Sequence, residues 1–284
     1  MPSDVAGAAA TVRAALTAAD VGSALALSDA AGWNQTADDW SFFVGQGAIG
    51  ERDGRTGHLV ATASSLGYGR FGWVSMVLVA AEHRHRGLAS GLVAASIAAL
   101  RARGAVPVLD ATPAGQPVYA ALGFEAGFGF TRWERAGRSA VSEATERGPS
   151  ADLGDLAGVA DLDAAASGLD RRAWWADVAR RPGSRATRDG AGGFALVRRG
   201  RRAVQLGPVV AGDEPAAIAL VGRALASAGS AAVFVDVPHE RAALGAHLAG
   251  AGFTRQRPFT RMALGAAPPH LGAGQFAFAG PEFG

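Results

Sequence analysis

The chain has no cysteine, which removes disulfides, thiolate metal sites and a cysteine nucleophile together. It has no lysine either, so all 27 basic residues are arginine, and against 25 acidic residues the formal charge at neutral pH is only +2. Basic tracts are missing and aromatics are hardly interleaved with arginines, so no nucleic-acid partner is expected. An Ala-, Gly- and Arg-rich chain without lysine is read as the product of mutational bias in the coding sequence. No stretch reaches the roughly 18 uninterrupted apolar residues that a membrane helix needs, and no membrane partner is expected. The first twenty residues hold Asp4, Arg13 and Asp20 among alanines, without a basic start and an apolar block, so a signal peptide is not expected. These absences lead to the expectation of a cytoplasmic protein, monomeric or homodimeric.

What is present fits two domains of ordinary size. The chain is 284 residues long and 49% apolar, enough to bury a sizeable core. It also repeats itself. Leu122-Gly123-Phe124 is followed six residues after its phenylalanine by Phe130-Thr131-Arg132. Ala251-Gly252-Phe253 is followed at the same interval by Phe259-Thr260-Arg261, and both pairs are displaced by 129 residues. Upstream of each lie a strand, a helix, a second strand (106–111; 232–237) and a short helix, so the halves read as two copies of one αβ unit. The polar stretch 135–152, with Gly137, Gly148 and Pro149, suits a linker. Residues 1–136 are therefore assigned to a first domain, 137–151 to a linker, 152–265 to a second domain and 266–284 to a tail. An added strand at 275–279 and a disordered end are both open readings of that tail.

Within the first copy, 12–28 reads as helix, 40–47 and 58–66 as strands, and Asp53-Gly54 as a turn. A helix over 88–103 places Leu88, Leu92, Val93, Ile97 and Leu100 on one stripe, and Gly104 stops it. Strands come first and helices cross over between later ones, which predicts an α+β fold with a mixed, mostly antiparallel sheet flanked by helices.

The most informative segment runs from Ser75 to Ala89. An apolar strand breaks into the cationic loop Glu82-His83-Arg84-His85-Arg86-Gly87, and a helix opens at once. Unpaired N–H groups at a helix start attract anions, Gly87 lets the main chain approach a ligand, and Arg84 and Arg86 add permanent charge. Arg84-x-x-Gly87-x-Ala89 after an apolar strand resembles the acetyl-CoA-binding signature of the GNAT superfamily of N-acyltransferases. The next strand, Thr112, then Tyr119 and Leu122-Gly123-Phe124 resemble the second CoA-contacting segment of that superfamily, although Thr112 stands where many members have asparagine.

The resemblance implies two tandem GNAT-like domains and acetyl-CoA as co-substrate, with no metal. It implies that Arg84, His85, Arg86, Gly87, Leu88, Ala89 and Ser90 hold the pyrophosphate, and that Val77, Leu78, Val79 and Thr112 line the pantetheine arm. The amide of Val79 or its neighbour would face the thioester carbonyl as oxyanion donor, and Tyr119 would protonate the leaving thiolate. Gly32-Trp33-Asn34-Gln35 sits at the superfamily's acceptor loop, so Trp33 and Asn34 are the acceptor-side candidates. Glu82, Asp110 and His58 are open candidates for the general base. His83 and His85 read as loop contacts rather than metal ligands, since no third ligand is spaced near them.

In the second copy, Gly212-Asp213-Glu214-Pro215 falls on the phosphate loop, exchanging arginines and a glycine for carboxylates and a proline. The 129-residue offset carries Tyr119 onto Leu248. This copy is expected to keep the fold without CoA chemistry and to close the acceptor site, with Arg171, Arg172, Trp174 and Trp175 at the cleft or packed between domains. The expected activity is acetyl transfer to the amine of a small molecule or peptide by direct attack. A non-catalytic acyl-CoA sensor is the alternative.

Overall fold

A computed structural model describes residues 10–137 and 156–284. The linker expected at 137–151 lies outside them from residue 138 onward, as does Asp4. One sheet of twelve strands runs through both halves in the order β1-β2-β3-β4-β5-β11-β6-β10-β9-β8-β7, with β12 beside β9. In the first half the strands are β1 (Thr11–Ala15), β2 (Ile49–Asp53), β3 (Leu59–Tyr68), β4 (Phe71–Val79), β5 (Val106–Ala111) and β6 (Phe124–Arg135). In the second they are β7 (Arg185–Arg188), β8 (Phe194–Arg198), β9 (Val204–Val210), β10 (Val233–Pro238), β11 (Thr254–Leu264) and β12 (Gln275–Ala277). Among the described residues only β4–β5 and β9–β10 pair in parallel; the other pairings are antiparallel.

The order shows an exchange. β6, the last strand of the first copy, lies between β11 and the second copy's β10, while β11, from the second copy, lies beside the first copy's β5. The repeated Phe-Thr-Arg segments are these exchanged strands. Phe130 and Phe259 face each other in register and stack at 5.0 Å, a contact worth roughly 0.5–1.5 kcal/mol beyond area burial. The same exchange sends each motif arginine to an aspartate of the other copy. Arg132 of β6 holds Asp236 of β10 at 2.8 and 2.7 Å, and Arg261 of β11 holds Asp110 of β5 at 2.9 and 2.9 Å.

Helices cover the sheet: α1 (Val21–Ala30), α2 (Ala37–Gly45), α3 (Leu88–Ala102), α4 (Gln116–Ala121), α5 (Leu156–Ser167), α6 (Arg172–Val178), α7 (Glu214–Ala228) and α8 (Ala242–Gly250). Helix α3 buries the expected stripe at Leu92, Val93 and Leu100, and Gly104 ends its turn at φ +73°. Two sequence expectations are corrected. Residues 40–47 lie on the end of α2 and the turn after it, not in a strand. Thr36 and Asp39 form a capping box, with Thr36 Oγ1 accepting from Asp39 N at 3.2 Å and Asp39 Oδ2 accepting from Thr36 N at 2.8 Å. The box starts a helix that an aromatic, β-like composition conceals, and Trp40 and Phe43 pack one turn apart on its buried face. Residues 12–28 split into β1, a short 3-10 turn and α1, because β1 finds a ladder along β2 that alanine-rich propensity does not foretell.

The last ten residues of the tail are mostly buried, and Gln275–Ala277 of them form the added strand β12. Phe283 stacks on Phe43 at 5.0 Å and lies 5.3 Å from Trp174, joining side chains of both halves in one core. Arg171 holds Asp163 and reaches the carbonyls of Phe283 and Gly284.

Candidate active site

Strands β4 and β5 pair only through Phe71–Trp73 and then part. On its other side β4 follows β3, with a bulge opposite Ala63 and Met76 at φ +53°. A positive φ at a long side chain costs on the order of 1–3 kcal/mol and here is braced by Thr62 Oγ1, which donates to Met76 O at 2.9 Å. Ala80 N donates to Val60 O at 2.8 Å. Donors alternate along an antiparallel ladder, so the Val79 N–H turns to the opposite edge, where β5 has left.

Into this wedge opens a cleft of about 390 Å³. One wall is Val74 to Val77 of β4 with Ala89, Ser90 and Val93 of α3. Across it stand Leu109 and Asp110 of β5, Thr112, and Val118 and Tyr119 of α4. The far end is built by Trp33, Asn34 and Gln35 together with Arg132, Phe234, Gln256, Arg257, Phe259, Pro281 and Glu282.

Helix α3 begins at Leu88 behind Gly87, which has φ +76° and no side-chain cap. By contrast α2 is capped by Thr36, and α7 by Asp213, whose carboxylate accepts from Ala216 N at 2.8 Å. The first N–H groups of α3 are therefore open to an anion. A Cβ on Gly87 would meet nothing within 4 Å, so the glycine is needed for its φ rather than for space. His85, two residues earlier, is also left-handed at φ +61°. Around the loop, Arg84 Nε donates to Val79 O at 3.3 Å, and Arg86 Nη1 lies 2.7 Å from His83 Nδ1.

Of the residues expected from the sequence, Val77, Ala89, Ser90, Thr112, Tyr119, Trp33 and Asn34 line the cleft. Leu78, Val79, Arg84, His85, Arg86, Gly87 and Leu88 lie outside its lining, on the adjoining end of β4 and the loop into α3. Tyr119 packs edge-on against Phe124 at 6.0 Å, and burial raises its pKa above the ordinary 10.0, which keeps the phenol protonated. Thr112 Oγ1 accepts from Gly115 N at 3.2 Å at the start of α4. Asn34 is a brace between the halves: its Oδ1 accepts from Arg202 N and Ala203 N at 2.8 and 2.9 Å, and its Nδ2 donates to Ala203 O at 3.0 Å.

Asp110 lines the cleft but is bound to Arg261. Burial, opposed by that arginine, leaves its pKa raised. Glu82 and His58 are not on the wall. Nor are Arg171, Trp174 and Trp175, which belong to the core between the halves; Arg172 is exposed and pairs with Asp161 and Asp170. Sequence reasoning missed the far end of the cleft. Arg257 and Glu282 stand there because of the strand exchange and the return of the tail, and only the repeated Phe-Thr-Arg segment hinted at the first.

In the second copy the corresponding wedge is filled. Strands β9 and β10 pair through Val204–Leu206 and then part, and β12 enters beside β9, with Phe278 N donating to Asp236 O at 2.9 Å. Gly207 permits this approach, since a Cβ there would lie 2.1 Å from Phe278 O. The α7 start is closed by Asp213, and Glu214 Oε1 accepts from Leu244 N at 2.8 Å. Leu248, the counterpart of Tyr119, is buried in the second half's core. Among the described residues no cluster of His and carboxylates suited to a metal is present, and no helix is long and apolar enough to cross a membrane.

Comparison with known proteins agrees with this architecture. Residues 23–124 match a family model described as the acetyltransferase (GNAT) family, and residues 159–276 match a second described as an acetyltransferase (GNAT) domain. No curated protein shows a significant sequence match. Among solved structures, a candidate acetyltransferase from Pyrococcus horikoshii is similar at 19% identity and TM-score 0.79, covering 96% of both chains. A GCN5-related N-acetyltransferase from Sphaerobacter thermophilus is similar at 15% identity and TM-score 0.62, covering 93% of this chain and 98% of its own. A tandem GNAT protein from the clavulanic acid biosynthesis pathway is similar at 18% identity and TM-score 0.57, covering 92% of this chain and 100% of its own. The two matched ranges together take in most of the sequence, and the chain belongs to the GNAT acetyltransferase superfamily, with two of its domains in tandem.

Proposed function

We propose that the chain is an acetyl-CoA-dependent N-acetyltransferase with one working site, in the wedge between β4 and β5. The observation that carries this reading is the asymmetry between two equivalent wedges: the first is an open cleft walled by Tyr119, and the second is filled by the chain's own β12. The open N–H groups at the start of α3, with Arg84 and Arg86 beside them, suit a pyrophosphate. The parted edge of β4 suits an extended amide chain such as pantetheine.

The residues then divide the chemistry. The amine nitrogen attacks the thioester carbon; a C–N bond forms, the C–S bond breaks, and the carbonyl oxygen's growing charge is met by an N–H of Val79 or its neighbour. Tyr119 gives its proton to the departing sulfur and recovers one from the acylated nitrogen through water, so a neutral amine and acetyl-CoA yield amide and thiol without net proton change. The proton separating the ammonium from the neutral amine goes to solvent. With no cysteine in the chain, transfer is direct rather than through a thioester on the protein.

The test is thiol release from acetyl-CoA with a panel of amines. Amine-dependent turnover supports the enzyme, whereas tight binding of acetyl-CoA without turnover on any amine contradicts it in favour of a sensor.

A further inference from the structure

Around the far end of the cleft each carboxylate already holds an arginine. Asp110 is held by Arg261, Asp236 by Arg132 with Gln205 adding a bond at 3.0 Å, and one oxygen of Glu282 by Arg198 at 2.8 Å. The Arg257 side chain has no hydrogen bond or ion pair among the described residues. Its Nε is buried without a partner, and its guanidinium lies over the Phe259 ring at 5.1 Å. It faces the cleft beside Gln256 because a bulge in β11 breaks the alternation between Arg255 and Arg257, and its register partner on β6 is another arginine, Arg132. Burial and Arg132 lower its pKa against the opposing pull of Asp236 and Glu282, and a guanidinium stays protonated at neutral pH. With both nearby carboxylates bonded to other arginines, this half-buried guanidinium is free to receive an anion from outside the chain.

The cleft also carries unsatisfied acceptors, two at this end and one on the β4 wall. Glu282 Oε2, Gln35 Oε1 and Ser75 Oγ are buried on cleft-lining residues and have no partner, and Glu282 is only 7% exposed. An ammonium group brings three N–H donors and no acceptor. Buried polar atoms left unmatched are costly, so a cleft holding a guanidinium without a direct partner and several acceptors without donors is complementary to a ligand bearing both charges.

We infer that the acceptor is an amine that also carries a carboxylate, an amino acid or amino-acid-like molecule, its carboxylate received by Arg257 and its ammonium by Glu282, Gln35 and Ser75. This rests on the acetyltransferase reading of the same cleft and names its substrate class.

The test sets the common α-amino acids and short ω-amino acids against their methyl esters and the corresponding simple amines. It uses the full-length protein, and the readouts are thiol release and calorimetric binding. At least one free amino acid should bind and be acetylated, with its ester about 10²-fold poorer in kcat/KM, the scale of a lost charge-assisted bond. Arg257→Gln should raise KM for that amino acid about 10²-fold more than it changes kcat. Its acetyl-CoA affinity and denaturation midpoint show that the variant is folded. Equal use of ester and free acid, turnover of simple amines alone, or an unchanged KM in Arg257→Gln overturns the inference while leaving acetyl transfer standing. If no amine releases thiol, acetyl transfer itself fails, and the binding titration still decides: failure of every amino acid to bind overturns the inference as well.

Discussion

Arg261 of β11 grips both oxygens of Asp110 on β5, joining strands that come from different copies of the repeat. The guanidinium is enclosed by Trp73 and Phe278, each 4.4 Å from its carbon, and by Phe128 at 5.1 Å. Its counterpart, Arg132 on Asp236, closes the reciprocal joint. The exchange makes the halves one body, and it brings Arg257 and Phe259 of the second copy to a cleft whose opening belongs to the first.

Breaking this joint on one side only should be costly. Arg261→Met leaves a buried carboxylate without its cation and is expected to destabilise the fold by about 3–5 kcal/mol, whereas the double variant Arg261→Met with Asp110→Leu should recover much of the loss. Chemical denaturation of the four proteins of the cycle measures the coupling; additive losses would refute it.

Asp39 ties the halves together elsewhere. Besides boxing the start of α2, it accepts from Arg181 at 2.5 Å and Arg198 at 3.3 Å, both from the second half. Burial pushes its pKa up, but the two arginines and the Thr36 N–H outweigh it and hold the carboxyl below the ordinary 3.8. A depressed folded pKa means that its stabilisation is complete above the unfolded value and is lost as pH falls through the folded one. Asp39→Asn should therefore lower stability at pH 7 by about 3–5 kcal/mol and flatten the acid limb of the stability profile below about pH 4. Denaturation midpoints across pH check both.

Much of this was legible in the sequence. The strand-loop-helix order around Gly87, the tyrosine before Leu122-Gly123-Phe124 and the acidic, proline-bearing start of α7 are local features, and local features are what a single sequence carries. The repeat gave two copies, but equal offsets cannot say whether the last strand of each stays at home or crosses over, since both arrangements satisfy the same pattern. Helix α2 was hidden because Trp40, Phe42, Phe43 and Val44 favour strands by composition, while the deciding Thr36–Asp39 box lies upstream. Glu282 was out of reach: its place depends on Phe283 finding Phe43 and Trp174 across the interface between the halves.

Tyr119→Phe removes the phenolic proton while keeping the ring against Phe124. It should lower kcat about 10²-fold with little change in acetyl-CoA affinity, on the scale of a lost general acid. Because burial raises the Tyr119 pKa, the wild-type rate should show no alkaline loss from this group until above pH 10. An unchanged kcat would remove Tyr119 from the chemistry.

Arg84→Ala takes away a cation beside the α3 start and should weaken acetyl-CoA about tenfold, the worth of one charge-assisted contact, without altering kcat at saturation. Titration at two salt concentrations reads this, because the wild-type advantage should shrink as salt screens the exposed loop.

The central claim is that the first wedge takes acetyl-CoA and the second is closed by its own tail. Calorimetric titration of the full-length protein with acetyl-CoA tests it most directly. The predicted result is saturable binding of one molecule per chain; two molecules per chain, or none at saturating dose, would contradict it.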